Sequence, residues 1–249
     1  MTDSPAMTLS RTAIVTGAGK RVGSVIARAL VDDGWTVLAH VHHDGDAVPP
    51  GSTKVVADLA EPDCAAAIFA AADGKPPVRL LVNNAARFAW DGIGEFSPGE
   101  FDAHMRINVR AAALLTERLA AQHREGDALI VNVLDSKLSA PNPDYLSYTL
   151  SKAALAALTE LAARALAPRS IRVNGIAPAL MLQSSGQTEE NFEAMHSNNP
   201  LRRGVEAEDV VGALRYLVEA TAVTGAVITI DSGQRFMSLD RDVQFLGPQ

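Results

Sequence analysis

Seven short runs of β-branched and aliphatic residues recur along the chain: TAIVT (12–16), TVLAHV (36–41), TKVVA (53–57), RLLVN (79–83), ALIVNVL (128–134), IRVNGI (171–176) and AVITI (226–230). Longer Ala- and Leu-rich stretches lie between them, with apolar residues three and four apart, as in Ala27, Leu30 and Val31 or Leu155, Leu158, Leu161 and Ala162. That spacing marks one apolar face of a helix. Strands that are apolar throughout, with helices between them, pack as a parallel sheet covered on both faces. Right-handed crossovers then bring every strand C-terminus to one edge, where open α/β sheets bind ligands. The expectation is an α/β fold with a seven-stranded, doubly wound parallel sheet.

Nothing divides this pattern. No Pro/Gly/Ser-rich linker or repeat interrupts the 249 residues, and 47% apolar content is enough for one large core, so a single domain over 11–249 is expected. Residues 1–10 read as a disordered lead-in. PPG (49–51) and KPP (75–77) read as turns before strands. The polar segment MLQSSGQTEENFEAMHSNNPLRRG (181–204) reads as a substrate-binding lid over the sheet edge. A net charge of −7, spread without a basic block, argues against a nucleic-acid partner. The single cysteine, Cys64, rules out an internal disulfide, offers no metal-ligand spacing and suits a reducing compartment. With no leader-like N-terminus and no run able to span a bilayer, the chain reads as cytoplasmic.

The first run is followed by TGAGKRVG (16–23), which opens the helix SVIARALVDDG. Glycines at a strand-to-helix turn let the backbone approach a pyrophosphate, and the helix N-terminus adds free N–H groups and partial positive charge. Such turns also serve packing alone, so both readings stay open. It is not a P-loop: Lys20 lacks the required spacing, and no Ser or Thr follows it. The second run ends AHVHHDGD, where an early acidic residue would favour NAD. His40, His42 and His43 come first and Asp44 comes late. Lys20, Arg21 and His42 or His43 are therefore candidates to meet a 2′-phosphate, which favours NADPH over NADH. The histidines also read as a solvated strand end, and no ligand cluster accompanies them to form a metal site.

In YLSYTLSKAALAALTELAARAL, Tyr148 and Lys152 are four residues apart, so a helix sets both on one face. A cation near a phenol stabilises the phenolate and lowers its pKa, which makes tyrosine a usable proton donor. Alone, the pair is also a common helix-surface pairing.

TGAGKRVG, Asp58 after a strand, NNAA (83–86), Asn108 in RINVRAA, Tyr148 with Lys152, and VNGIAP (173–178) follow one another in an order that resembles the short-chain dehydrogenase/reductase family, from residue 11 to about 236. The resemblance implies one Rossmann-type domain, usually in a homotetramer, that moves hydride between a nicotinamide and a carbonyl, alcohol or imine. It also implies residue roles. Gly17, Lys20, Arg21, Val22 and Gly23 line the pyrophosphate turn, Asp58 and Leu59 meet adenine, and Asn83, Asn84, Ala85 and Ala86 follow toward the ribose. Asn108 holds a proton-relay water, Tyr148 is the acid, and Lys152 serves ribose and phenolate. PALMLQ (178–183) lacks the usual threonine contact to the nicotinamide amide, which leaves Pro178 and backbone near Leu180 for that end.

Two positions depart from the common family pattern: Arg21 replaces the middle glycine of the phosphate loop, and Asp135 replaces the acid-assisting serine thirteen residues before Tyr148. With NNAARF and its Phe88, these departures are similar to the pteridine reductase and dihydromonapterin/dihydrofolate reductase branch. There the arginine faces cofactor phosphate and substrate, the phenylalanine sandwiches a pterin against the nicotinamide, and the aspartate works with the tyrosine in protonation. His43 and Asp44 stand where that branch more often carries Arg and Ser. The chemistry favours the substitution. An ionised carboxylate repels a forming oxyanion but suits a substrate that gains a proton at a ring nitrogen. A flat heteroaromatic ring also stacks well on a phenyl face. The expected substrate contacts are thus Arg21, Phe88, Asp135, Tyr148 and Leu180, with Tyr145 as a pocket wall.

The expected activity is NADPH-dependent reduction of a pteridine or dihydropteridine C=N bond. The alternatives are a carbonyl reductase or alcohol dehydrogenase in which Ser136 or Ser139 takes the serine role, and a non-catalytic NADPH-binding sensor. Intact Asn108, Tyr148 and Lys152 argue against the sensor.

Overall fold

A computed structural model describes residues 10–183 and 186–246. Residues 1–9 of the expected lead-in and residues 184 and 185 of the expected lid lie outside the described residues. All seven expected strands are present: β1 (Thr12–Val15), β2 (Thr36–Val41), β3 (Thr53–Val56), β4 (Val78–Asn83), β5 (Ala128–Val133), β6 (Ile171–Pro178) and β7 (Val227–Ile230). They form one sheet in the order β3-β2-β1-β4-β5-β6-β7, with every neighbouring pair parallel. β6 runs two residues past the apolar run, to Pro178, because Ala177 and Pro178 still pair with Thr229 and Ile230 of β7.

The alternation of side chains divides the core in two. Ala13, Val15, Val37, Ala39, Leu80, Val82, Leu129 and Val131 pack against α1 (Arg21–Asp32) and α7 (Ala207–Glu219). Their chain neighbours Ile14, Leu38, Leu81 and Ile130 point to the other face, against α2 (Cys64–Ala70), α4 (Ala111–Gln122) and α5 (Leu146–Leu166). A period of two with both faces buried is why these strands are apolar at every position. Cys64 is buried in the second cluster as a packing residue.

The strand order reverses beside β1, between β1 and β4, and the loops after both strands open at that point. Such a switch point places a ligand crevice at the strand C-termini. Around it lie α3 (Pro98–His104), a π-helical turn (Met105–Arg110) leading into α4, and residues 181–183 and 186–204 with α6 (Glu189–His196). After β7 the chain folds back through two 3₁₀ turns to Leu246. No helix among the described residues is long and apolar enough to cross a membrane.

Candidate active site

β5 ends at Val133, and Asp135 follows in extended conformation at the head of the 3₁₀ turn Ser136–Ser139. Its Oδ1 accepts the Lys137 N–H at 2.8 Å, which caps that turn. Its Oδ2 accepts the Tyr148 hydroxyl at 2.7 Å. The residue beside the phenol is therefore Asp135; Ser136 and Ser139 lie further along the turn that Asp135 caps. Tyr148 and Lys152 sit one turn apart on α5, both buried. The Lys152 ammonium lies 5.7 Å from the Tyr148 ring centre and donates to Val133 O at 2.6 Å.

Burial dominates the electrostatics of this corner. It pushes the half-buried Asp135 carboxyl above the ordinary carboxylate range, against the Lys137 N–H, the Tyr148 hydroxyl and the Lys152 charge, which all favour the anion. It also pulls Lys152 down to about 8, with Asp135 opposing. Tyr148 lies well above the usual phenol range, first through burial and then through the Asp135 charge. This corrects the expectation that Lys152 lowers the tyrosine pKa. The nearby carboxylate and the loss of solvent outweigh the cation, and Tyr148 is held as the protonated donor.

Asn108 is buried in the π turn, and its amide is committed to protein partners. Oδ1 accepts Arg87 N at 2.7 Å, while Nδ2 donates to Arg87 O at 3.1 Å and Ser151 Oγ at 2.8 Å. It fixes the loop that carries Phe88 beside the turn of α5 between Tyr148 and Lys152, where a water-holding role was expected. Phe88 is 44% exposed, stacks on Tyr145 at 4.3 Å and meets Tyr148 edge-on at 4.8 Å. Tyr145 is a wall of this corner, but it precedes α5 as its N-cap, in left-handed backbone at φ 56°. Its side chain does not cap the helix. Asp91 does so from the Phe88 loop: Oδ1 accepts Ser147 N at 2.8 Å, Oδ2 accepts Ser147 Oγ at 2.5 Å, and its carbonyl takes Leu146 N.

The other half of the crevice is built from backbone. α1 has no acidic residue in its first turn, and Lys20 at its N-cap makes no side-chain cap bond, so the helix end has no internal anion to satisfy it. A Cβ on Gly23 would stand 2.2 Å from Gly17 O, so α1 can approach the loop only with glycine there. Gly17 turns the chain at φ 67°, and its N–H is used by His40 Nδ1 at 3.2 Å. His40 Nε2 meets Ala57 O at 3.0 Å, and burial, its largest influence, lowers the imidazole pKa. His40 is thus a neutral internal brace, not a solvated strand end. Asn84 Nδ2 bonds Thr16 O at 2.9 Å and Gly17 O at 3.3 Å, while Thr16 Oγ1 takes the N–H groups of Asn84 and Ala85.

Several residues assigned to the cofactor lie in different settings from those expected. Asn83 Nδ2 bonds Asn132 Oδ1 inside the sheet, and Asn132 bonds Thr159, so the Asn83 amide crosslinks β4 to β5. The Arg21 guanidinium reaches Gln183 O at 3.1 Å and Leu182 O at 3.4 Å, which ties the phosphate loop to the segment after β6. Arg21 is at φ 53°, which accounts for the glycine commonly found at its position. Lys20, His42 and His43 are exposed, with the two histidine rings 4.0 Å apart and His42 Nε2 3.6 Å from Asp58 Oδ2, while Leu59 is buried. Val22 packs in the core, Ala85 and Ala86 follow Asn84 at the loop, and Pro178 and Leu180 flank the end of β6. A dinucleotide fits this donor set: an uncompensated helix N-terminus at a close-packed glycine turn, with the exposed Lys20 at its head.

His40, Asp91 and the 240–246 segment were not singled out for function from the sequence. Each acts through a partner distant along the chain.

The family model described as enoyl-(acyl carrier protein) reductase matches residues 17–235. Pteridine reductase 1 of Leishmania tarentolae is 32% identical, over 94% of this chain and 98% of that protein. Carbonyl reductase [NADPH] 2 of Sus scrofa is 31% identical, over 89% and 95%. A solved structure, FolM alternative dihydrofolate reductase 1 from Brucella suis in complex with NADP, superposes with a TM-score of 0.85 at 34% identity, over 92% of this chain and 97% of that one. With its parallel seven-stranded sheet, glycine turn and tyrosine–lysine helix, the chain belongs to the short-chain dehydrogenase/reductase family of oxidoreductases.

Proposed function

We propose that this oxidoreductase uses NADPH to reduce the C=N bond of a dihydropteridine. The observation that carries the reading is the 2.7 Å bond from the Tyr148 hydroxyl to Asp135, at the position where a serine would serve a carbonyl. When bound, the reduced nicotinamide supplies hydride to a ring carbon. Tyr148 delivers a proton to the adjacent ring nitrogen, and Asp135, its carboxyl raised by burial, returns a proton to the phenol or holds the protonated ring. Lys152, in its ammonium form, steadies the charge developing on Tyr148 and faces the ribose. Phe88 offers an exposed aromatic face for the ring, and Leu180, just past the end of β6, joins it as a substrate contact.

Gly17, Val22 and Gly23 shape the pyrophosphate turn, and Asp58 and Leu59 meet the adenine. Lys20, His42 and His43 lie toward a 2′-phosphate. The exposed Lys20 at the head of α1 supports NADPH, as does the NADP held by the Brucella suis neighbour. The buried lone thiol, Cys64, suits a cytoplasmic enzyme. Assembly as a homotetramer is supported by the exposed apolar residues Tyr216 on α7, Val227 on the edge strand β7, and Leu150 and Leu161 on α5. Light scattering on eluted protein checks the mass.

Carbonyl reduction is the competing chemistry, and the porcine relative makes it a fair rival. Asp135 accepts the Tyr148 hydroxyl at the place where a serine would donate to the ketone oxygen, which disfavours it. The test is NADPH oxidation with dihydrobiopterin, dihydromonapterin, dihydrofolate and a panel of small ketones, repeated with NADH. Turnover of a dihydropterin that depends on Asp135 is expected; ketone turnover that survives Asp135→Asn, with none on any pterin, would reverse the assignment.

A further inference from the structure

Residues 240–246 lie beyond the part of the chain that resembles the family, yet they make a dense set of bonds to the substrate side of the crevice. Arg241 forms a two-pronged pair with the buried Asp144, both contacts at 2.8 Å, and Asp242 N bonds Asp144 Oδ2 at 2.8 Å. Lys137 reaches Asp242 Oδ2 at 3.2 Å and Asp144 O at 2.5 Å, with its side chain only 9% exposed. The backbone N–H of the same Lys137 holds Asp135. Gln244 accepts the Tyr145 hydroxyl at 2.5 Å, and Phe245 stacks beyond Tyr145 at 6.1 Å and 21°. Leu246 O takes the Asn191 amide from α6. The segment is thus a strap joining Asp144, Tyr145, the Asp135 turn and α6.

The arrangement has a direction. Phe88, Tyr145 and Phe245 form a row of near-parallel rings, with 21° between each pair of neighbours. Tyr145 is the middle member, sits in left-handed backbone, and has its hydroxyl pinned by the strap. A tyrosine in that conformation persists only where its surroundings fix it. We propose that the strap, through Gln244 and Asp242, is a specificity-determining element. It locks Tyr145 so that Phe88 presents a flat face to a planar heteroaromatic substrate, and Lys137 relays the same anchoring to the Asp135 turn. This deepens the dihydropteridine reading and rests on it for the substrate class. Gln244 and Asp242 are positioning residues, acting through Tyr145 and Lys137.

The test compares Gln244→Leu, Asp242→Asn, Tyr145→Phe and the Gln244→Leu/Tyr145→Phe double variant in steady-state kinetics with dihydrobiopterin and in NADPH titrations by fluorescence. Gln244→Leu is expected to raise KM about tenfold with kcat within threefold and NADPH affinity within twofold. Tyr145→Phe should raise KM in the same direction, and the double variant should add nothing to the larger single effect, because both remove the Tyr145–Gln244 bond. Asp242→Asn should raise KM by a smaller factor. KM values within twofold of the parent, or additive single effects, overturn the strap's role. A parent enzyme silent on dihydropterins sinks the substrate reading instead; the same KM comparison on the carbonyl it does reduce then decides the strap by the same criteria.

Discussion

The two ends of the crevice are built on opposite plans. At the acid corner the reacting groups are side chains withdrawn from water, and each is held by a protein partner: Tyr148 by Asp135, Asp135 by Lys137 N–H, Lys152 by Val133 O. At the nucleotide corner the backbone does the shaping, through Gly17, Gly23 and their braces His40 and Asn84, while Lys20, His42 and His43 stand in solvent. Chemistry that depends on shifted proton affinities needs burial, whereas reading a phosphate needs only charge and free N–H groups at a rim. The acid corner should therefore resist substitution, and the nucleotide rim should tolerate it.

The sharpest break is Tyr148→Phe, expected to lower kcat by about 10³ with NADPH affinity nearly unchanged; preserved turnover would strip Tyr148 of its role. Asp135→Ser is next: dihydropterin kcat/KM should drop by about 10², and a serine variant as fast as the parent on pterin would remove the carboxylate from the mechanism. The corner also sets a pH limit. Lys152 is an ammonium below its lowered pKa of about 8 and neutral above it, so log kcat/KM should fall as pH rises through about 8. Lys152→Arg keeps its charge and should push that limb higher; a rate limb unmoved by the substitution assigns it to another group.

Smaller effects separate the corners further. Asp91→Asn keeps the shape but weakens the capping of α5, and should cost about 1 kcal/mol of stability, read as a lower Tm, together with a several-fold loss in kcat. At the rim, Lys20→Ala and His42→Ala should weaken NADPH binding only a few-fold, and the difference should shrink in 0.5 M salt. A rim effect larger than that of Asp91→Asn, or one indifferent to salt, would erase the contrast between the two ends.

How much was legible follows the same division. The strands were readable because full burial on two faces demands unbroken apolar runs, and Tyr148 with Lys152 because helical spacing is local. Asp135 was legible through its fixed distance from Tyr148, with no turn slipping Ser136 or Ser139 into its place. Asp91 was not, since its partner Ser147 is 56 residues away and an aspartate followed by glycine reads as a plain turn. Arg21 was legible as a departure, but its reach to Leu182 and Gln183 spans some 160 residues that no periodicity connects. The crosslinking role of Asn83 was not legible, because a polar residue at a strand end looks like a ligand group until its buried partner Asn132 is seen.

The π turn at Met105–Arg110 carries a consequence for how this chain tolerates change in length. A π turn holds about one residue more than an α turn, so Met105–Arg110 takes up one residue beyond what an even helix needs while α3 and α4 keep their facing. Deleting one residue there would close an ordinary α turn and leave the Leu115 and Leu119 stripe on the sheet, at the cost of the Asn108 bonds to Arg87 and Ser151. Deleting one residue within α4 would instead rotate that stripe by about 100°. Single deletions should therefore cost fold stability less across 105–110 than within α4, and cost activity more there than in the exposed turns at 73–75 or 124–126.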